Sequence, residues 1–148
     1  VIGVIGIMAA IGAYSWQRYV SNTNLRTAAR ELVADFNYMK ANAASKPDLT
    51  CTIFFNRAVN PNTYILSVAD TDGNNASGFP QTKTPGAAGS AINIISLPGG
   101  GMTYTLTFLA RGTLSPSAGT IRMQNNRGSE ARIIFNTTGK TYVTFTMQ

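Results

Sequence analysis

The sequence predicts an α+β protein: one long N-terminal α-helix, with a protruding apolar first half, packed on a mainly antiparallel β-sheet globular domain. Three observations carry this. Residues 1–14, VIGVIGIMAAIGAY, are apolar or small, and no charge stands before Arg18. From Leu25 to Ala43 apolar or small residues recur at steps of three and four, the period of one helix face. After Pro47 the period falls to two, and Thr-rich runs alternate with turns carrying Gly and Asn, the pattern of paired strands.

The helical stripe comprises Leu25, Ala28, Ala29, Leu32, Val33, Phe36, Met39 and Ala43. Arg26, Arg30, Glu31, Asn37 and Lys40 fall mostly off it, so this half reads as amphipathic. It should stop near Ser45, because Pro47 disfavours helical geometry at Lys46 and cannot donate a backbone bond. No proline interrupts residues 1–45, and Ser21, Asn22 and Thr23 only loosen the middle. One continuous helix of that length would span about 68 Å. Its second half can lie on a core within this chain, whereas its first half cannot. The expected division is therefore 1–22, a protruding half-helix, and 23–148, a globular domain.

A membrane-crossing helix needs roughly 20 apolar residues, so the opening run falls short of one. A secretory signal would carry basic residues ahead of its apolar core, and none precede this one. Two readings stay open: a truncated membrane helix, or a helix that is apolar all round because something other than this domain covers it. Gly3, Gly6 and Gly12 weaken the helix but let neighbouring helices approach closely.

Strands are predicted at Thr50 to Asn56 and Thr63 to Ala69, a hairpin through the Asn60-Pro61-Asn62 turn. Cys51, Ile53 and Phe55 share one face of the first. Further strands read as 91–97, 103–109, 119–125, 131–136 and 141–147; in the last, Val143, Phe145 and Met147 share a face. The outcome is about seven strands, in one sheet or two. Residues 70–90 hold few large side chains and read as a surface connection, either mobile or with a binding role.

Composition narrows the function classes. The 148 residues suit one domain plus the apolar segment, and only 12% are charged, below the usual quarter. Thr, Asn, Ser and Gly fill that difference, as on exported proteins. The sequence has no histidine, which excludes imidazole-based catalysis. Cys51 is the single cysteine, so no intrachain disulfide forms; on its strand it reads as a small buried hydrophobe. Charge is uneven: residues 76–148 carry six basic side chains against Glu130 alone, within a net charge of +6. Such a half attracts polyanions, or is simply a soluble basic surface.

VIGVIGIMAAIGAYSW running into NLRTAARELVADFNYMKANAASK, then TCTIFFN and a Gly-studded strand series ending in RIIFNTTGKTYV, resembles a type IV pilin-like subunit. More narrowly the chain is similar to the GspH/FimT group of pseudopilins and minor pilins. Many major pilins carry a proline in the first helix and a disulfide near the C-terminus; this chain has neither, which favours the pseudopilin-like group. The resemblance implies a pilin-like fold and an apolar half-helix used first as a bacterial inner-membrane anchor and then as the packed core of a helical filament. It further implies a basic leader removed by prepilin peptidase, N-terminal methylation, handling by pilus assembly machinery, and copies of itself or related pilins as partners. The mature relatives begin with more apolar residues and a glutamate, which match no position here. The expected location is the inner membrane, then a periplasmic pseudopilus or an extracellular pilus.

The expected assembly residues are Val1, Ile2, Gly3, Val4, Ile5, Gly6, Ile7 and Ile11. No catalytic residue and no cofactor is expected. Asp70-Thr71-Asp72-Gly73-Asn74 resembles the opening of a calcium loop, with Asp70 and Asp72 as ligands, but Gln81 stands where an EF-hand needs Glu. A plain turn is the other reading. Minor pilins of the resembled group can capture DNA, and Arg122, Arg127, Arg132 and Lys140 are the candidate nucleic-acid contacts. The DNA-capturing relatives carry Arg-rich motifs after a C-terminal Gly, whereas here Gly139 precedes Lys140-Thr141-Tyr142-Val143.

Overall fold

The computed structural model describes residues 2–87 and 89–148, with side chains described from Ser15 onward. Helix α1 (Ile2–Ser45) is unbroken over 44 residues, a length of about 66 Å. It ends as the sequence requires: Lys46 N–H still reaches the Asn42 carbonyl at 3.0 Å, and Pro47 follows. Ser15 to Val20 are all exposed, and full burial starts at Leu25. From there Leu25, Ala28, Ala29, Leu32, Phe36, Met39 and Ala43 are buried, with Val33 half-buried beside them. That is the stripe read from the sequence.

Nine strands follow among the described residues: β1 (Thr50–Asn56), β2 (Thr63–Ala69), β3 (Gln81–Lys83), β4 (Asn93–Ser96), β5 (Thr103–Phe108), β6 (Leu114–Ser115), β7 (Gly119–Gln124), β8 (Glu130–Phe135) and β9 (Thr141–Thr146). They form two antiparallel sheets, ordered β3-β2-β1-β5-β6 and β4-β7-β8-β9. Two strands escape the sequence pattern. β3 has three polar residues and exists through pairing with Tyr64, Ile65 and Leu66. β6 has two residues before Pro116 and borrows its ladder from β5. The strand expected at 91–97 shortens to β4, whose register shifts between Ile94 and Ser96.

Both sheets turn their apolar faces to α1. Phe36 sits where all three layers meet, with ring centroids 6.4 Å from Phe55, 5.8 Å from Phe108 and 5.7 Å from Phe135. Each fully buried side chain of this size contributes roughly 1.5–3 kcal/mol. Cys51 lies inside with Ile53 and Phe55, and burial pushes its thiol pKa up. A nucleophilic thiol needs the opposite shift.

Polar ties fix the long connection to the helix. Asp35, buried on α1, accepts hydrogen bonds from Tyr64 Oη at 2.8 Å and Lys83 Nζ at 2.7 Å. Phe79 stacks on Tyr38 with centroids 6.3 Å apart. Phe79 and Lys83 thus tie this part of the connection to α1. Gly139, in the β8–β9 turn, has a φ of +70°, and an added Cβ would stand 2.6 Å from the Gly112 carbonyl. Only glycine lets these two turns meet over Lys40.

Candidate assembly surface

The helix leaves the sheets at a collar of residues 15–26, held by three long-range bonds. Asn125 Nδ2 donates to Asn22 Oδ1 at 3.0 Å. Arg127 Nη2 donates to Gln17 Oε1 at 2.8 Å. Arg18 Nε donates to the Gln148 carbonyl at 2.6 Å. Asn125 can act as a strut because its own turn is rigid: its Oδ1 accepts from the Arg127 and Ser129 amides, both at 3.0 Å. The buried Asn125 therefore couples the β7–β8 turn to the helix just before the helix loses its cover.

Beyond that anchor the helix shows aromatic surface. Trp16 is 68% exposed and Tyr19 66% exposed, with ring centroids 6.2 Å apart. Trp16 and Val20 form one wall of a groove of about 370 Å³ whose other side includes Ala91, Asn126 and Arg127. Sequence reasoning missed Trp16 and Tyr19. Their signal was present in YSWQRY, where two aromatics three apart sit ahead of the buried stripe. Large aromatics on an amphipathic collar suit a protein contact, being rigid and apolar with a polar edge.

The expected assembly residues lie outside this description: Val1 wholly, and the side chains of Ile2, Gly3, Val4, Ile5, Gly6, Ile7 and Ile11. The backbone of residues 2–14 continues the same helix. Among the described residues no helix is long and apolar enough to cross a membrane.

The four candidate nucleic-acid contacts do not gather at one place. Arg122 and Arg132 face each other across β7 and β8. Arg127 stands in the turn at one end of that hairpin, and Lys140 in the β8–β9 turn at the other. Arg122 holds Glu130 with Nε and Nη2 at 2.5 and 2.6 Å, and Arg132 Nε adds a third bond at 2.7 Å. These bonds, Arg122's first, hold the Glu130 carboxyl at about 2 and push the Arg122 pKa up. Two of the four cations are thus engaged by the single acid of this half. Sequence reading counted Glu130 only as a charge, because Arg122, its double partner, lies eight residues away on the neighbouring strand while Arg132 follows two residues on along β8.

Asp70 is occupied by its own turn. Its Oδ1 accepts from the Asn74 amide at 2.8 Å and the Asp72 amide at 3.0 Å, and the Asn74 bond leads in lowering its pKa. Among the described residues no three acidic, His or Cys side chains gather as metal ligands would.

No protein-family model matches the sequence, and no curated protein matches it. Solved structures do match. The type IV minor pilin FimU of Pseudomonas aeruginosa superposes with a TM-score of 0.57 at 20% identity, over 85% of this chain and 92% of that one. A second crystal form of FimU gives 0.52 at 20% identity, over 81% and 92%. The minor pseudopilin EpsH from the type 2 secretion system of Vibrio cholerae gives 0.56 at 9% identity, over 82% and 96%. The chain has the pilin-like fold of these minor subunits.

Proposed function

We propose that this chain is a structural subunit of a type IV pilus-like or type II secretion pseudopilus filament, packed through its apolar N-terminal half-helix among copies of itself or related subunits. One observation carries the reading: a single helix runs from the buried stripe through an exposed aromatic collar into a stretch whose sequence has no charge. Val1, Ile2, Val4, Ile5, Ile7 and Ile11 each contribute roughly 1.5–3 kcal/mol when taken from water, and Gly3 and Gly6 permit close helix approach. The fold shared with FimU and EpsH supports the same reading. Before assembly the half-helix anchors the chain in the bacterial inner membrane, after prepilin peptidase removes a leader. Assembly then carries it to a periplasmic pseudopilus or an extracellular pilus. The role is structural, without a catalytic step.

The nucleic-acid alternative gains nothing from the geometry, since Arg122 and Arg132 are bound to Glu130. The test is incorporation. Fibres sheared from cells carrying the wild-type chain should contain it by mass spectrometry and immunogold labelling. A chain with Ile5→Asp and Ile7→Asp should stay with the cells. Equal incorporation of that variant, or a wild-type chain dispersed as a monomer without detergent, refutes the proposal.

A further inference from the structure

The four sheet edges differ in how they are protected. β3 has three residues and ends in Lys83. β6 has two residues and runs into Pro116. β4 is interrupted by its register shift. These are the usual devices that stop an edge from pairing with another chain: shortness, charge, proline and bulges. β9 has none of them. It is six residues long, TYVTFT, without charge, proline or bulge, in unbroken register with β8. Among the described residues no strand covers its other side.

The phase of the ladder shows what that edge offers. The Asn136 amide bonds to the Lys140 carbonyl at 3.1 Å. Because paired and unpaired residues alternate in an antiparallel ladder, Thr141, Val143 and Phe145 aim both backbone groups away from β8. The side chains of Val143 and Phe145 face the core side yet are only half-buried, whereas Ile133 and Phe135 one strand further in are fully buried. Among the described residues the edge thus lacks a hydrogen-bonding neighbour, and the apolar side chains beside it, though packed on the core, are only partly covered.

The end of β9 opens onto a groove of about 330 Å³ lined by Arg18, Tyr19, Asn22, Arg26 and Met147. Arg26 lies 6.0 Å from the centroid of the Phe145 ring. Arg18 Nε donates to the Gln148 main-chain oxygen at 2.6 Å, and neither Arg18 nor Arg26 has an Asp or Glu partner among the described residues. We propose that β9 is a docking edge for an extended segment of a partner polypeptide, added antiparallel, with alternating apolar residues and an acidic N-terminal end seated against Arg18 and Arg26. Antiparallel addition places the start of the incoming strand at the end of β9, where those guanidiniums stand. A second copy of this chain fits poorly: pairing β9 with β9 would direct its Lys140 into the same cationic groove. The cationic end of this site belongs to the helical collar, but Val143→Pro leaves the helix unchanged, so loss of peptide binding and loss of filament incorporation can be told apart.

The test uses the full chain in detergent micelles and two synthetic peptides of alternating valine and threonine, one opening with two glutamates and the other with two lysines. The acidic peptide should bind and slow amide exchange at Val143 and Phe145 at least about tenfold, leaving Ile133 unchanged. The lysine peptide should bind at least about tenfold more weakly. Val143→Pro removes an outward-facing donor, a change an edge strand tolerates, and should abolish acidic-peptide binding. Arg26→Glu, at an exposed helix position, should reverse the preference between peptides. No protection of Val143 and Phe145 at millimolar acidic peptide, equal binding of both peptides, or unchanged binding in both variants overturns the proposal. So does displacement of the acidic peptide by a short DNA duplex or by anionic lipid vesicles that leaves those amides unprotected.

Discussion

Glu130→Gln separates the charge of the Arg122–Glu130–Arg132 group from its shape. The folded protein holds the Glu130 carboxyl at about 2, against 4.5 for the free group. A depressed carboxyl stabilises the fold fully above about pH 4.5 and loses that contribution as pH falls towards 2. The whole depression is worth about 3 kcal/mol. The Arg122 and Arg132 side chains are 41% and 50% exposed, so water screens the pair and about 1–2 kcal/mol is the better figure. The variant also leaves two guanidiniums in direct cross-strand register without their bridging charge, a repulsion of a few tenths of a kcal/mol. Thermal unfolding followed by circular dichroism should show Tm lowered by about 2–8 °C at pH 7, with the gap closing at pH 2. A gap of equal size at both pH values, or none at pH 7, would refute the electrostatic account.

Two further substitutions probe the connections between layers. Gly139→Ala meets both a left-handed backbone and the Gly112 carbonyl 2.6 Å from the new Cβ; it should cost about 2 kcal/mol or more in urea unfolding, and a cost under half a kcal/mol would show that the two turns separate freely. Tyr64→Phe deletes the donor to buried Asp35 while Lys83 keeps the carboxylate paired, so a loss of about 1–2 kcal/mol is expected; no change would mean water replaces the hydroxyl.

How far the sequence carried the fold depends on the range of each interaction. The helix, its stripe from Leu25 to Ala43 and its end at Ser45 were legible because residues three and four apart meet on one face. Seven strands were legible from their alternation, and β3 and β6 were not, because Gln81–Lys83 and Leu114–Ser115 are strands only by virtue of their neighbours. For the candidate assembly surface, the uncharged opening run was plain in the sequence, whereas the exposed collar of Trp16 and Tyr19 needed the sheets in place to show where cover ends.

By itself the sequence determined that a long helix would precede a β domain, that its histidine-free residues offer no imidazole chemistry, and that its opening run carries no charge before Arg18. Tertiary structure decided how the strands divide into two sheets, which cations Glu130 binds, that Lys83 reaches Asp35 across 48 positions of chain, and that β9 is left as an open edge. The reason is physical: helical and strand periods are written in near neighbours, while strand partners and ion pairs are chosen by the packing of the whole chain, which no local pattern encodes.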